Sequence, residues 1–277
     1  MPGLPIVLAG SKGLSMTSTR IVLSVVACAA LAGCASGGGR APSKAVRTAN
    51  EAALRSAGSI GDPGKVAAAD IAFARAARDE GQWTAFAEFA ATGAVLHGEG
   101  GVIEAAPWLS GRANPPAAVQ WAPKAVFASC DGTLAVSTGR FVEPGGLVGS
   151  YVTVWQLERD GTYKWIYDMG APDDPQPPAP LAPEVPPGED VIVVEALDAI
   201  EGKVADCPQG TGTPSAPVAA LADGARSGAA ASRDGTLQYH WEHHPDGTRR
   251  VAVDYLRDGQ WQMPVDFAAE PRGEEQK

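Results

Sequence analysis

The chain has 277 residues, a net charge of −10 and 45% apolar residues, enough for two modest domains with ordinary cores. The acidic balance excludes the basic footprint of a nucleic-acid binder and electrostatic docking to anionic lipid heads. The glycine-rich dinucleotide fingerprint, the Gly-Lys-Ser/Thr phosphate loop and the Gly-x-Ser-x-Gly nucleophile elbow are all missing from the sequence.

Arg20 precedes an apolar stretch over residues 21–32, and Leu31-Ala32-Gly33-Cys34 closes it. A positive end, an apolar segment and small residues make an export signal over residues 1–33. The segment is too short for the roughly 20 residues of a spanning helix. Met16 is the more natural start, because residues 16–20 give a compact charged end. The Leu-Ala-Gly-Cys run resembles the lipobox of bacterial lipoproteins. That resemblance implies that Cys34 is acylated, becomes the first mature residue and anchors the chain in a membrane. Ala35, rather than Asp, follows it; by the family's sorting rule this implies the periplasmic face of the outer membrane of a Gram-negative bacterium. Losing Lys12 and Arg20 with the leader takes the net charge from −10 to −12, so the acylated cysteine must do the anchoring. Residues 34–61 open on a Gly/Ser-rich run and read as a flexible tether. Cys28 leaves with the leader, so Cys130 and Cys207 remain. In an oxidising compartment they form a disulfide; the alternative is two separate buried thiols.

Asp62-Pro63 is a capping residue followed by proline at the first helical position. Val66, Ala69, Phe73, Ala76 and Ala77 then recur at helical spacing as far as Glu80, and Gly81 ends the helix. Residues 82–91 predict a second helix with Trp83, Phe86, Phe89 and Ala90 as its apolar stripe. A short strand over 94–97, a turn over 98–101 and a helical turn over 105–110 follow. Residues 118–130, 133–142, 147–159 and 162–169 alternate with period two, and Asp131-Gly132 and Asp160-Gly161 separate consecutive strands as hairpin turns. Two helices followed by a long antiparallel meander predict an α+β layer architecture.

The helix pair, the Glu88-Phe89-Ala90 to Ala94-Val95-Leu96 junction and the hairpin from Tyr151-Val152-Thr153-Val154-Trp155 to Asp160-Gly161-Thr162-Tyr163-Lys164-Trp165 resemble one family. It is the nuclear transport factor 2-like superfamily, in its SnoaL-like, polyketide-cyclase-like branch. The resemblance covers about residues 64–171 and assigns residues 62–171 to that domain. It implies a cone-shaped, strongly bent antiparallel sheet packed on N-terminal helices, with a cavity in its open end. It implies either a catalytic member (isomerase, dehydratase or cyclase) or a binding or dimerising module, and fold alone does not choose.

Catalytic members use a buried carboxylate or histidine as base, with a tyrosine or acid holding an oxyanion. The candidates for a cavity are His97, Glu99, Glu104, Arg140, Tyr151, Trp155, Tyr167 and Asp168. His97 ends a strand at a Gly-rich turn, which reads as a general base or ligand contact, or more blandly as an exposed strand-end histidine. Asp168 interrupts an apolar strand. It either abstracts a proton or orients His97, or takes a structural hydrogen bond, for instance from Arg140. Trp83, Trp108, Trp121, Trp155 and Trp165 read as core and rim. The tyrosine-plus-two-acids pattern of ketosteroid isomerases has no convincing match, which lowers the enzyme reading.

Residues 172–188 carry eight prolines and predict an extended linker. Residues 190–195 predict a strand, and residues 201–232 loop with partial helix. Residues 236–244, 248–257 and 260–267 form a small meander within a β-rich region over 189–270, before a tail over 271–277. Its Asp-Gly turns echo the first domain, read as convergent hairpin chemistry rather than a repeat because the helices are not duplicated. His240, Glu242 and His244 share a strand face and form a weak metal candidate; Leu237, Tyr239 and Trp241 form the opposite, buried side. The expectation is a lipid-anchored, non-catalytic envelope protein without cofactor that binds a small apolar ligand, with a homodimer as a further arrangement. The alternatives are an enzyme using His97 and Asp168, and an envelope scaffold with a filled cone and an exposed apolar patch on the C-terminal sheet.

Overall fold

The computed structural model describes residues 61–178, 199–208 and 223–271. The leader, Cys34, nearly all of the tether, most of the proline-rich segment and the strand expected over 190–195 lie outside the described residues. Helix α1 (Pro63–Glu80) starts where the sequence caps it: the Asp62 carboxylate accepts from Gly64 N at 3.0 Å and Lys65 N at 3.3 Å. Val66, Ala67, Asp70, Phe73 and Ala77 form its buried stripe. Helix α2 (Gln82–Phe89) has no side-chain cap from Gly81. Asn114 of a distant loop caps it instead, accepting from Trp83 N at 2.7 Å and Thr84 N at 3.2 Å. A Cβ on Gly81 would meet that Asn114 amide, and its φ of +111° suits glycine.

Next come β1 (Ala90–Gly98), β2 (Gly101–Glu104), α3 (Ala105–Leu109), β3 (Gln120–Ala128), β4 (Leu134–Val142), β5 (Val148–Leu157) and β6 (Tyr163–Pro172). After the undescribed segments follow β7 (Glu201–Val204), β8 (Arg226–Ala231), β9 (Leu237–His243), β10 (Arg249–Arg257) and β11 (Gln260–Ala269). The fold is α+β. A seven-stranded sheet has the order β2-β1-β6-β5-β4-β3-β7, and a four-stranded sheet the order β11-β10-β9-β8. The large sheet is mixed rather than antiparallel, because β1 runs parallel to β6 and β7 parallel to β3. Residues 201–204 and 226–231 are strands, not loop with partial helix. The first joins the large sheet and the second makes the C-terminal meander four-stranded. So the segment expected in the C-terminal region contributes an edge to the first domain's sheet.

One face of the large sheet packs on the helices through Val66, Phe73, Ala77, Trp155 and Trp165. The other packs on the small sheet: Phe127, Val136, Val152, Val154 and Tyr167 meet Leu237, Tyr239, Val251, Val253 and Val265. Apolar residues at period two, such as Val152 and Val154 on β5 and Val251, Val253 and Tyr255 on β10, give both sheets this apolar face. Cys130 and Cys207 are joined, Cα to Cα 5.0 Å.

The four-stranded sheet repeats the β3–β6 meander, and the expectation of mere convergence is corrected by register. Ser129-x-Asp131-Gly132-Thr133-Leu134 and Ser232-x-Asp234-Gly235-Thr236-Leu237 make the same turn. In each, serine N bonds leucine O (2.9 and 2.8 Å), the serine hydroxyl donates to the aspartate (2.8 and 2.6 Å) and glycine takes φ +68°. The two turns grip each other reciprocally: Asp131 N donates to Asp234 at 2.8 Å and Asp234 N to Asp131 at 3.1 Å. Val154 pairs Tyr167 and Trp155 pairs Trp165, leaving Ile166 as a bulge on β6. Val253 pairs Val265 and Tyr255 pairs Gln262, a shift of one residue at the matching place on β11. Counting from these bulges, Asp168 and Asp266 are equivalent, as are Tyr151 and Arg250.

Candidate functional site

The bulge decides which residues reach the site. Trp165 faces the helices; strict alternation would then carry Tyr167 and Met169 to that face as well. Ile166 adds one residue, so Tyr167 and Met169 enter the core between the sheets and Asp168 turns toward the helices. Asp168 there lines a cavity of ≈ 260 Å³ between α1, α2 and the sheet, walled by Phe73, Phe86, Trp121 and Phe141. Asp168 keeps some exposed surface, and it opens on this cavity.

Asp168 accepts a hydrogen bond from the Thr153 hydroxyl at 2.6 Å. Burial pushes its carboxyl up to about 7, against the Thr153 bond, with nearby Asp70 adding to the rise. Asp70 itself is fully buried. It accepts from Trp121 Nε1 at 2.9 Å and from the Tyr151 hydroxyl at 2.9 Å. Burial raises its pKa, while hydrogen bonds from Ser137, Trp121 and Tyr151 oppose the rise. Burial, then Asp70, raises the Tyr151 phenol, which stays a donor. The arrangement is an aromatic chamber with one carboxyl that titrates near neutrality, backed by a buried Asp–Tyr–Trp network.

Of the other expected residues, Glu99 lines the same cavity. Tyr151 does too; Trp155 is fully buried, its indole N–H donating to the Ser137 hydroxyl at 2.9 Å. Tyr167 faces the small sheet and is fully buried. Arg140 does not reach Asp168: it ion-pairs with Asp173 and donates to the Ser150 hydroxyl at 2.6 Å. Glu104 is exposed.

His97 is the largest correction. It is 2% exposed, not a solvent-facing strand end. Leu96 pairs with Asp168 across β1 and β6, so His97 points to the opposite face. It cannot share a proton with Asp168 there. Its Nδ1 lies 2.7 Å from the Tyr167 hydroxyl and its Nε2 3.2 Å from His243 Nδ1 of the small sheet. Burial, with His243 and the Arg249 and Arg226 cations adding, holds it down to about 3. The imidazole thereby bridges the two sheets.

His240, Glu242 and His244 do not converge. His240 lies 3.9 Å from Asp254, while Glu242 is held 3.3 Å from His244 and 3.9 Å from Arg250. Among the described residues no cluster of three or more metal-ligating side chains is present, and no helix is long and apolar enough to cross a membrane. Sequence reasoning missed Asp70, Thr153, Glu143 and Arg249. The signal for Asp70 was its place at i+4 from Val66 and i−3 from Phe73, on the buried stripe. No protein-family model and no curated protein matches the chain.

Proposed function

We propose that this chain is a lipid-anchored protein of the cell envelope whose helix-and-sheet module, a cone of the nuclear transport factor 2-like kind, binds a small, largely apolar molecule. The Leu31–Cys34 run supports the anchoring. The observation that carries the binding reading is the aromatic chamber itself: ≈ 260 Å³ of space faced by Phe73, Phe86, Trp121 and Phe141, with Asp168 and Tyr151 as convergent polar groups. Apolar walls with few polar groups orient a ligand, whereas a domain with only a structural role closes such space, since interiors are close-packed. The scaffold alternative expects a filled cone and an exposed apolar face on the C-terminal sheet. The chamber is open, and that face lies against the large sheet. Because the second meander covers this face, a homodimer would use another surface.

Native mass spectrometry of the gently purified full chain tests the reading. The expected result is a stoichiometric small-molecule adduct that the cavity-filling Val119→Trp variant loses. An adduct-free mass in the wild type, or one indifferent to Val119→Trp, overturns it.

One observation favours a second, enzymatic reading: a carboxyl titrating near 7 inside an apolar chamber suits general acid–base catalysis. On this reading Asp168 moves a proton on the bound molecule and His97 takes no part. Incubating the retained ligand with protein in D2O separates the two. Deuterium at carbon, lost in Asp168→Asn, supports catalysis; exchange at heteroatoms alone leaves a binding protein.

A further inference from the structure

The charge in the chamber lining is lopsided. Asp168, Glu99 and Glu143 supply three carboxyls against the single guanidinium of Arg249. Arg249 comes from the small sheet, is 3% exposed and donates to Gly170 O at 3.4 Å, so its charge sits at the Gly170 end. The rings of Phe73, Phe86, Trp121, Phe141 and Tyr151 line the same space. Aromatic faces attract cations, and a cleft of one charge sign with low-dielectric walls concentrates the opposite sign.

The second meander supplies an independent observation. At the position of Asp168 it carries Asp266, and at the position of Tyr151 it carries Arg250. There Arg250 grips Asp266 with both arms, Nε to Oδ1 at 2.6 Å and Nη2 to Oδ2 at 3.0 Å. The meander therefore already seats a nitrogen cation on this carboxyl, using its own side chain. In the first copy the tyrosine turns its hydroxyl to Asp70 instead, and Asp168 takes a neutral hydrogen bond from Thr153. The scaffold is the same, but the cation is left out and a cavity stands in front of the carboxyl.

We propose that the chamber selects a ligand with a positively charged head, a protonated amine or quaternary ammonium on an apolar or aromatic body, with the head against Asp168. This rests on the ligand-binding reading above and names the chemistry of its ligand. The head takes the place that the Arg250 guanidinium holds in the second copy, and the rings of Phe73, Phe86 and Trp121 hold the body. Arg249 disfavours the head at the Gly170 end and so fixes the ligand's direction. Carbonyl or carboxylate ligands would instead be drawn to Arg249 or to a protonated Asp168.

Three probes that share one body but differ in charge test this on the full chain by titration calorimetry: 2-phenylethylammonium, 2-phenylethanol and phenylacetate. The expected order at pH 8 is cation first, by at least tenfold over the alcohol, with the anion weakest. The cation's affinity rises about tenfold from pH 6 to pH 8 as Asp168 ionises; Glu99, Glu143, Arg249, Tyr151 and Asp70 are the other titratable groups around it. Asp168→Asn removes the cation's advantage but leaves the alcohol's affinity within about threefold. Glu143→Gln, in the lining, lowers the cation's advantage two- to threefold. Tyr151→Arg, which installs the second copy's own cation, abolishes cation binding. Alcohol or anion binding as well as or better than the cation in the wild type overturns the charge proposal and leaves the binding reading standing. Failure of all three probes to bind, or of Val119→Trp to change the binding seen, overturns both.

Discussion

Asp168 and Asp266 hold the same place in two copies of one meander, after the same bulge, yet their chemistry diverges. Burial lifts Asp168 to about 7, whereas the Arg250 hydrogen bonds hold Asp266 below the usual carboxylate range. Two changes account for the difference. Helices α1 and α2 cover the first copy's outer face and dry it. Where the second copy has Arg250, the first has Tyr151, which spends its donor on Asp70. Backbone geometry aims the carboxyl; what stands opposite decides whether it is an inert ion-pair partner or a group free to titrate against a ligand.

The largest way to break this comparison is to remove the bulge. Deleting Ile166 restores strict alternation, driving Asp168 into the apolar layer between the sheets and Tyr167 and Met169 out of it. A buried carboxylate without a partner and two lost core side chains put the expected cost above about 4 kcal/mol. Urea unfolding should show no cooperative native baseline at 25 °C; a stable, cooperative deletion variant would mean that the bulge does not set the face. Next comes the cross-link. Cys130→Ser with Cys207→Ser opens a loop spanning 77 residues of sequence separation and should cost about 2–4 kcal/mol. The bond fastens the first copy's Ser-x-Asp-Gly-Thr-Leu turn to the segment that leads from β7 toward the second copy, so the loss should appear in the melting of both sheets together.

Much of this architecture is legible along the chain. Asp62-Pro63 and Gly81 bound α1, and the alternating runs with Asp-Gly turns mark β3 to β6, because capping and hairpin chemistry are local. The parallel pairing of β1 with β6 is not local: nothing in residues 90–98 says which distant strand will lie beside them. Strand β8, Arg-Ser-Gly-Ala-Ala-Ala, is small and mostly exposed, so it carries no alternation to read. His97 and Asp168 looked like neighbours, and in the backbone they nearly are. The side-chain face follows from a one-residue bulge that only pairing reveals. The repeat, by contrast, was written twice in plain sequence, in Ser-x-Asp-Gly-Thr-Leu and in Arg-Asp-Gly at 159–161 and 257–259. The missing second pair of helices obscured it.

The two faces of the large sheet should also respond to pH in opposite senses, with a smaller effect than the disulfide. His97 sits near 3 in the fold against about 6.5 unfolded. The unfolded chain therefore binds the extra proton, and the stability that neutral His97 contributes is complete above about 6.5 and lost as pH falls toward 3. Asp168 sits near 7 in the fold against about 3.9 unfolded. There the folded chain binds the extra proton, so its contribution is complete below about 4 and lost as pH rises through 7. His243, lowered, adds to the first trend and Asp70, raised, to the second. Between pH 5 and 7 the trends oppose and the wild type should be nearly flat. Asp168→Asn should uncover the acid-side loss, about 1–2 kcal/mol weaker at pH 5 than at pH 7. His97→Gln should uncover the reverse slope of similar size. Denaturant midpoints across that range decide it, and parallel slopes in the two variants would contradict the opposed-face account.

The smallest effect belongs to the second copy's carboxyl. Asp266 is half-exposed, and its partner Arg250 is also shared with Glu242 at 3.9 Å. Exposed pairs gain little because water screens them and ordering two long side chains offsets the attraction. Asp266→Asn should therefore cost less than about 1 kcal/mol at pH 7. Its lowered pKa gives a contribution present above the unfolded value near 4 and lost as pH falls through the folded value, the reverse of Asp168. A thermal melt of Asp266→Asn beside Asp168→Asn reads both at once. At pH 8 the first should lower the midpoint slightly and the second should raise it, since only Asp168 is held in a site that disfavours its charge. Equal shifts of the same sign would show that the helices and Tyr151 do not set the two copies apart.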